Sequence, residues 1–312
     1  MILTITLNPA VDTVYAVDHF AVGGVFRPRD LTRTAGGKGL NVTRVARLLG
    51  REVTATGFIG GSAGAFIDAE VRALGARSRF VEIGGETRTC IAIADRAGGT
   101  STELLEPGPA IGPAEAEAFM AIYAELLPGC RVVAACGSLP RGLPDDFYRR
   151  LCELARAAGK PFILDTSGAP LALGIEGLPH MIKPNREELV ALLGRPVEDL
   201  SGMGRALREL SKRGIALPCA TLGRDGCLAA LADGVYHYTA PPVEAVNTVG
   251  SGDAFVAGCA AILSDGGEAD EAIRLGMACG LANTQFFQTG MISRELVDKF
   301  HASVVRERIA GL

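Results

Sequence analysis

Asp253 follows three small residues, Gly250, Ser251 and Gly252, and opens an apolar run, Ala254 to Leu263, with helical propensity. Glycines just ahead of a helix let the chain turn sharply, so that several unpartnered first-turn N–H groups aim at one spot. The helix dipole favours negative charge there, which makes the stretch from Asn247 to Gly258 a candidate anion hole. A carboxylate beside an anion hole suits the removal of a proton next to a phosphate. The simpler reading is that Asp253 caps the helix, as aspartate often does.

Other polar groups sit where predicted strands end, the edge at which open α/β sheets bind ligands. Asp12 follows the run Ile2–Leu7, and Gly137-Ser138 follows Val132–Cys136. Lys183-Pro-Asn185 follows Met181-Ile182, and Gly223 follows Cys219–Leu222. A second glycine-rich turn, Ala35-Gly-Gly-Lys-Gly-Leu-Asn41, opens into a helix. Asn185 with Glu188 three residues later is the spacing of a capping box. The same spacing puts both side chains on one helix face, where Glu188 could hold Mg²⁺ through water. The two roles are compatible. Lys38 is followed by glycine where a Walker A motif needs Ser or Thr, and no GxGxxG follows a strand.

The elements that must position these groups read as alternating strands and helices. Ile2–Leu7, Val53–Ile59, Val132–Cys136, Phe162–Asp165, Met181-Ile182 and Cys219–Leu222 are strand-like, separated by helical patterns over 42–49, 65–74, 114–127, 145–158, 186–193 and 202–213. Gly226–Tyr238 reads as a hairpin, and residues 251–309 as three helices. In the helix over 42–49, Arg44, Arg47 and Arg51 form a stripe expected to face solvent. Such alternation predicts one domain over 1–312, an α/β fold with a doubly wound, mostly parallel sheet flanked by helices. Two β-rich segments, roughly 10–34 and 87–106, predict a small sheet acting as a lid.

Composition narrows the function classes. With 48% hydrophobic and 21% charged residues the 312-residue chain buries a large core, and its net charge of −4 argues against a nucleic-acid surface. Eight cysteines without a CxxC pair suit reduced, buried thiols, and four scattered histidines form no metal cluster. No apolar run approaches a membrane span. Because the chain also starts directly on a strand-like run, the expected location is cytoplasmic.

These motifs together resemble the PfkB (ribokinase-like) carbohydrate kinases over the whole length. Ala35–Asn41 resembles the family's N-terminal signature, Asn247–Asp253 its C-terminal one, and Asn185–Glu188 its magnesium-associated motif. The resemblance implies that Asp253 removes the proton from a sugar hydroxyl while the Gly250–Gly252 amides receive the transferring phosphoryl group. It implies that Lys183, Asn185, Thr221, Gly223, Gly226 and Asn283 lie along ATP, with Mg²⁺ at Asn185 and Glu188. It also implies that Asp12, Gly37 and Asn41 meet the sugar. Within the family, the start Thr6-Leu-Asn-Pro-Ala-Val-Asp12 looks like the phosphosugar kinases. Glu86–Ile93 and Glu103–Gly108 look most like tagatose-6-phosphate kinase, with 1-phosphofructokinase the runner-up.

A dianionic sugar phosphate needs cations opposite the nucleotide, and Lys38, Arg27 and Arg88 lie on or beside the β-rich segments, with Ser138 as a hydroxyl donor. The expectation is therefore a kinase of ketohexose phosphates, tagatose 6-phosphate first, forming a homodimer through the lid. A non-catalytic sugar-phosphate sensor is the competing class, against which the presence of Asp253 counts. A nucleoside or pentose kinase would leave the three cations without an anion.

Overall fold

The computed structural model describes residues 1–197 and 199–311. Its 11-stranded sheet is built outward from Ile2–Thr6, whose five residues are all buried. Val53–Ile59 and Val132–Cys136 flank it in parallel, and Phe162–Asp165, Met181–Ile182 and Leu217–Thr221 continue the parallel run. Buried on both faces, these strands are mostly apolar, as parallel strands covered by helices must be, and threonines such as Thr4, Thr54 and Thr56 are buried among them with hydrogen-bond partners. Beyond them the antiparallel strands Cys227–Leu231, Gly234–Thr239 and Val305–Arg308 close one edge. The chain goes to one side of Ile2–Thr6 first and to the other later, so a topological switch point lies between Ile2–Thr6 and Val132–Cys136. Ligand crevices form at such points.

Side chains alternate across the sheet into two cores. Val132 and Ala134 face helices Lys38–Leu48, Ser251–Ser264 and Ala269–Asn283, while Val133 and Ala135 face Pro113–Leu126, Phe147–Ala157 and Leu200–Lys212. Helix Ser251–Ser264, which carries Asp253, is held by very close packing on Ala269–Asn283. A Cβ on Gly258 would stand 2.7 Å from the Leu275 carbonyl, and one on Gly276 would stand 2.8 Å from Cys259 Sγ. All eight cysteines are free and buried. No helix among the described residues is long and apolar enough to cross a membrane.

The second sheet has four strands in the order Asp30–Gly36, Ala10–Val17, Arg88–Asp95 and Thr100–Leu105. It comes from the two β-rich segments read in the sequence. Ala10–Val17 pairs with Arg88–Asp95 in parallel, so the two segments are stitched along their full length.

Three expectations need correcting. The last third holds helices Ser251–Ser264, Ala269–Asn283 and Arg294–Ser303, but Val305–Arg308 is an edge strand. Its charged side chains are what an edge strand needs to avoid further pairing, and they masked it as a helix end. Gly168–Gly174 is a further helix and Arg77–Ser78 and Val81–Glu82 are short edge strands, all too brief to show a period. The arginine stripe is not solvated. Arg44 is buried, Arg47 donates to the Leu74 and Arg51 carbonyls, and Arg51 pairs with Asp265. Helix Lys38–Leu48 is covered on both flanks, which a single-helix pattern does not reveal.

Gly258→Ala should destabilise the fold by about 1–3 kcal/mol, because a methyl at this contact forces two backbones apart and outweighs its helix propensity. Urea unfolding measures it, and an unchanged midpoint would show that the helices separate at little cost.

Candidate active site

The helix that begins at Ser251 has Gly250 as its N-cap, in a left-handed conformation with φ 81°. Glycine is required twice over, since a Cβ there would also collide with the Thr289 side chain. Among the described residues, the N–H groups of Gly250, Gly252 and Asp253 have no acceptor, whereas Ser251 N–H and Oγ both turn to the Thr248 carbonyl. The glycine turn and unpartnered first-turn N–H groups read in the sequence are present, except that Ser251 N–H is already engaged. A Cβ on Gly252 would lie 3.1 Å from Lys183 Nζ, so glycine lets an ammonium reach the same spot.

Asp253 is buried, and burial lifts its carboxyl to about 7, with the Asp165 charge adding to the rise. An N–H from Asn41 Nδ2 at 2.8 Å and the ammonium groups of Lys38 and Lys183 pull the other way. A carboxyl poised near neutrality suits a general base. The Asp253 cap reading does not hold: its side chain accepts from Asn41, not from a first-turn backbone N–H.

Asp165, absent from the sequence candidates, ties the pocket together. It is 1% exposed, and its Oδ1 lies 3.3 Å from Lys38 Nζ and 3.5 Å from Lys183 Nζ. Burial opposes the charge on both lysines, yet Asp165 and Asp253 hold them protonated above the usual lysine range. Lys183 is buried, while the Lys38 side chain remains 39% exposed. Asp165 ends the strand Phe162–Asp165, so the strand-end rule that singled out Asp12 and Ser138 would have found it.

Asp12 lies on the second sheet against Gly36, where any Cβ would overlap its carboxylate. Burial lifts it to about 6 against the pull of Arg88 and Arg44, with Glu103 adding to the rise. Gly37 (φ 105°) and Gly39 pack onto Thr6, seating the turn that carries Lys38 and Asn41. Ser138 Oγ accepts from Asn8 Nδ2 at 3.2 Å. Arg88 is partly committed already: its two terminal nitrogens donate to the carbonyls of Glu106 and Asn8, and its Nε stays without a partner. Arg27 is exposed in the loop between Ala10–Val17 and Asp30–Gly36, and no contact among the described residues draws it to the site.

On the other side, Asn185 and Glu188 make both capping-box bonds, at 2.8 and 2.9 Å. Thr221 N–H donates to the Pro184 carbonyl, which brings Thr221, Gly223 and Gly226 alongside Asn185. Gly226 must be glycine on two grounds, its positive φ and the Tyr238 carbonyl that a Cβ would strike. Asn283 is turned inward: its amide joins the Val249 carbonyl to Gly290 N–H and braces the loop behind the anion hole. No group of three His, Cys, Asp or Glu among the described residues is arranged to hold a metal by itself. Asp165 Oδ2 lacks a partner and Glu188 Oε1 stays outside the cap, which fits an ion carried in on phosphates with one or two protein carboxylates.

A family model for pfkB family carbohydrate kinases matches residues 5–293. The chain belongs to that family. The kinase fold and activity expected of it are thereby shown: a phosphoryl group passes from ATP to a sugar hydroxyl. The structure is similar to phosphofructokinase-2 from Escherichia coli crystallised with potassium, at TM-score 0.90 and 27% identity over 96% of this kinase and 98% of that chain. A possible 1-phosphofructokinase from Thermotoga maritima matches at TM-score 0.91 and 28% identity over 99% of both chains. Ribokinase from Arabidopsis thaliana, at 20% identity and TM-score 0.75, shares the fold.

The raised Asp253 carboxyl makes a stability prediction. Its protonated form is favoured in the folded state, so its contribution is full below an ordinary carboxyl value near ~4 and is lost as pH rises through about 7. Asp253→Asn should therefore gain in melting temperature relative to the parent kinase as pH goes from 5 to 8. A difference that stays constant over that range would show that Asp253 does not titrate there.

Proposed function

We propose that this kinase phosphorylates a ketohexose phosphate with ATP. The carrying observation is Asp253, buried at the mouth of an anion hole with its carboxyl near neutrality and Lys183 beside Gly252. Asp253 accepts the proton of the attacking hydroxyl. The Gly250 and Gly252 N–H groups and Lys183 stabilise the charge that develops on the phosphoryl oxygens. Thr221, Gly223 and Gly226 border the nucleotide, and Mg²⁺ on its phosphates, held by Glu188 and Asp165 through water, would lower their negative charge. Asp12 and Asn41 orient the sugar hydroxyls, and Lys38 with the free Nε of Arg88 meets the sugar's phosphate.

Two acceptors have specific support. Tagatose 6-phosphate is favoured by the Glu86–Ile93 and Glu103–Gly108 segments, which form the strands around Arg88. A fructose phosphate is favoured by the similarity to proteins named phosphofructokinases.

The second sheet acts as a lid that excludes water from the transfer. Register places Tyr15, Leu31, Ile91, Ile93 and Leu104 on the face opposite Asp12 and Cys90, with Leu31 and Leu104 more than half exposed. A second copy's lid is the occupant that fits, and one similar structure is that of the tetrameric inhibited form of phosphofructokinase-2 from Escherichia coli. Sedimentation at micromolar concentration should give a dimer that Leu104→Glu dissociates; a monomeric parent removes the lid–lid contact.

ADP release measured with tagatose 6-phosphate, fructose 1-phosphate, fructose 6-phosphate, ribose and adenosine tests the function. The phosphorylated ketohexoses should lead the free sugars by at least about tenfold per lost charge-assisted contact. Chelating divalent cations should stop turnover, and Asp253→Asn should cut it by about 10²–10⁴-fold. Ribose or adenosine outrunning every phosphosugar would overturn the substrate class.

A further inference from the structure

Arg44 is a buried charge that the chemistry above does not use. It is 4% exposed, and it makes no ion pair among the described residues. Its Nη1 donates to Asn41 Oδ1 and to the Thr289 carbonyl, both at 3.2 Å, and its Nη2 donates to the Ala35 carbonyl at 2.8 Å. Asn41 in turn donates through Nδ2 to Asp253 Oδ2 at 2.8 Å.

An asparagine amide can present either end, and which end it presents depends on its partners. A guanidinium has donors only. With Arg44 on one side, the Asn41 carbonyl must turn toward it and the NH₂ must turn toward Asp253. The flipped amide would set N–H against N–H and a carbonyl against a carboxylate, two repulsive contacts in a buried place. The second Asn41 N–H is left for a sugar hydroxyl.

We propose that Arg44 is a positioning residue for phosphoryl transfer: it locks the Asn41 amide so that an N–H always faces the Asp253 carboxylate. Its other two bonds fasten that lock to the Ala35 end of the lid and to the Thr289–Gly290 loop behind Gly250. The proposal rests on Asp253 being the base. Asp253 is also faced by Asp165, Lys38, Lys183 and Cys136, and Arg44 by Glu70 and Asp12. Among the described residues, Asn41 is the side chain hydrogen-bonded to Asp253, so loss of the lock acts on the base through a single contact.

The sign follows from that contact. An N–H donated to the carboxylate favours its ionised form, so a flipped Asn41 raises the pH at which Asp253 becomes protonated. Arg44→Gln, which can offer a carbonyl or an amide, should move the acid limb of the kcat–pH profile upward by about one unit. Turnover then falls about tenfold below the limb and recovers at high pH, while KM for ATP stays within about twofold. Arg44→Lys keeps a donor-only group and should return the limb toward its original position. Asn41→Ala should move the limb by itself, and adding Arg44→Gln should move it no further. If Arg44→Gln does not fold, Arg44→Lys in the Asn41→Ala background takes its place, and an added shift there overturns the proposal. A folded Arg44→Gln with an unmoved limb, or one that loses activity equally at every pH, also overturns it. Asp253→Asn is run beside these variants: if it keeps full turnover, the assignment of the base has failed, and not the role of Arg44.

Discussion

The pocket depends on a balance of four buried or half-buried charges, Asp165 and Asp253 against Lys38 and Lys183. Burial by itself favours the neutral form of Asp253 and of either lysine. Together the two carboxyl groups and the two ammonium groups offset one another's charge. The ammonium groups stay charged, and burial, with the Asp165 charge adding to it, leaves Asp253 near neutrality. Asp165 thus acts on the Asp253 carboxyl as well as on both lysines.

Such a cluster can be assembled only where several backbones come unusually near one another. Gly36 admits the Asp12 carboxylate, Gly39 lets the Lys38 turn sit on the end of the first strand, and Gly252 admits the Lys183 ammonium. Further along the same helix, Gly258 and Gly276 let Ser251–Ser264 lie against its neighbour with little side chain between them. The rigidity of the Asp253 helix therefore comes from backbone contact. That is the kind of support a site needs when its groups must hold their geometry through a reaction.

The family membership and the site agree at the level of kinase chemistry, and they separate at the level of substrate. The unpartnered amides at Gly250 and Gly252, Asp253, Asp165 and the two lysines lie on the main sheet and its helices, a fold shared with proteins as distant as ribokinase. Of the groups proposed to read the acceptor, Asp12, Arg88 and Arg27 lie on the second sheet and its loops, where Arg88 is half committed to backbone carbonyls and Arg27 stands in solvent. Loops and lids vary most easily on a fixed scaffold, so the acceptor is the property least determined by the fold.

Strand order apart, much of the α/β scaffold was legible in the chain: apolar runs of strand length, helical periods and glycine-rich turns marked nearly every main element. The anion hole, Asp253, the capping box at Asn185 and the two segments of the second sheet were legible for the same reason, since each is a local pattern. Short pieces such as Gly168–Gly174 and Val305–Arg308 were not, because they carry less than one clear period or a charge pattern set by the sheet edge. Arg44 looked like a solvated residue, as its helix shows one apolar face and says nothing of what covers the other. That Asn283 braces the loop behind Gly250 was not legible, and Asp165 looked like the last residue of a strand and is the hub of the charges. Sequence spacing determines which side chains share an element. Only the tertiary structure decided which of them meet across elements, because burial, pKa and the direction of a hydrogen bond depend on partners more than a hundred residues away, as with Lys38 and Asp165 or Asn41 and Asp253.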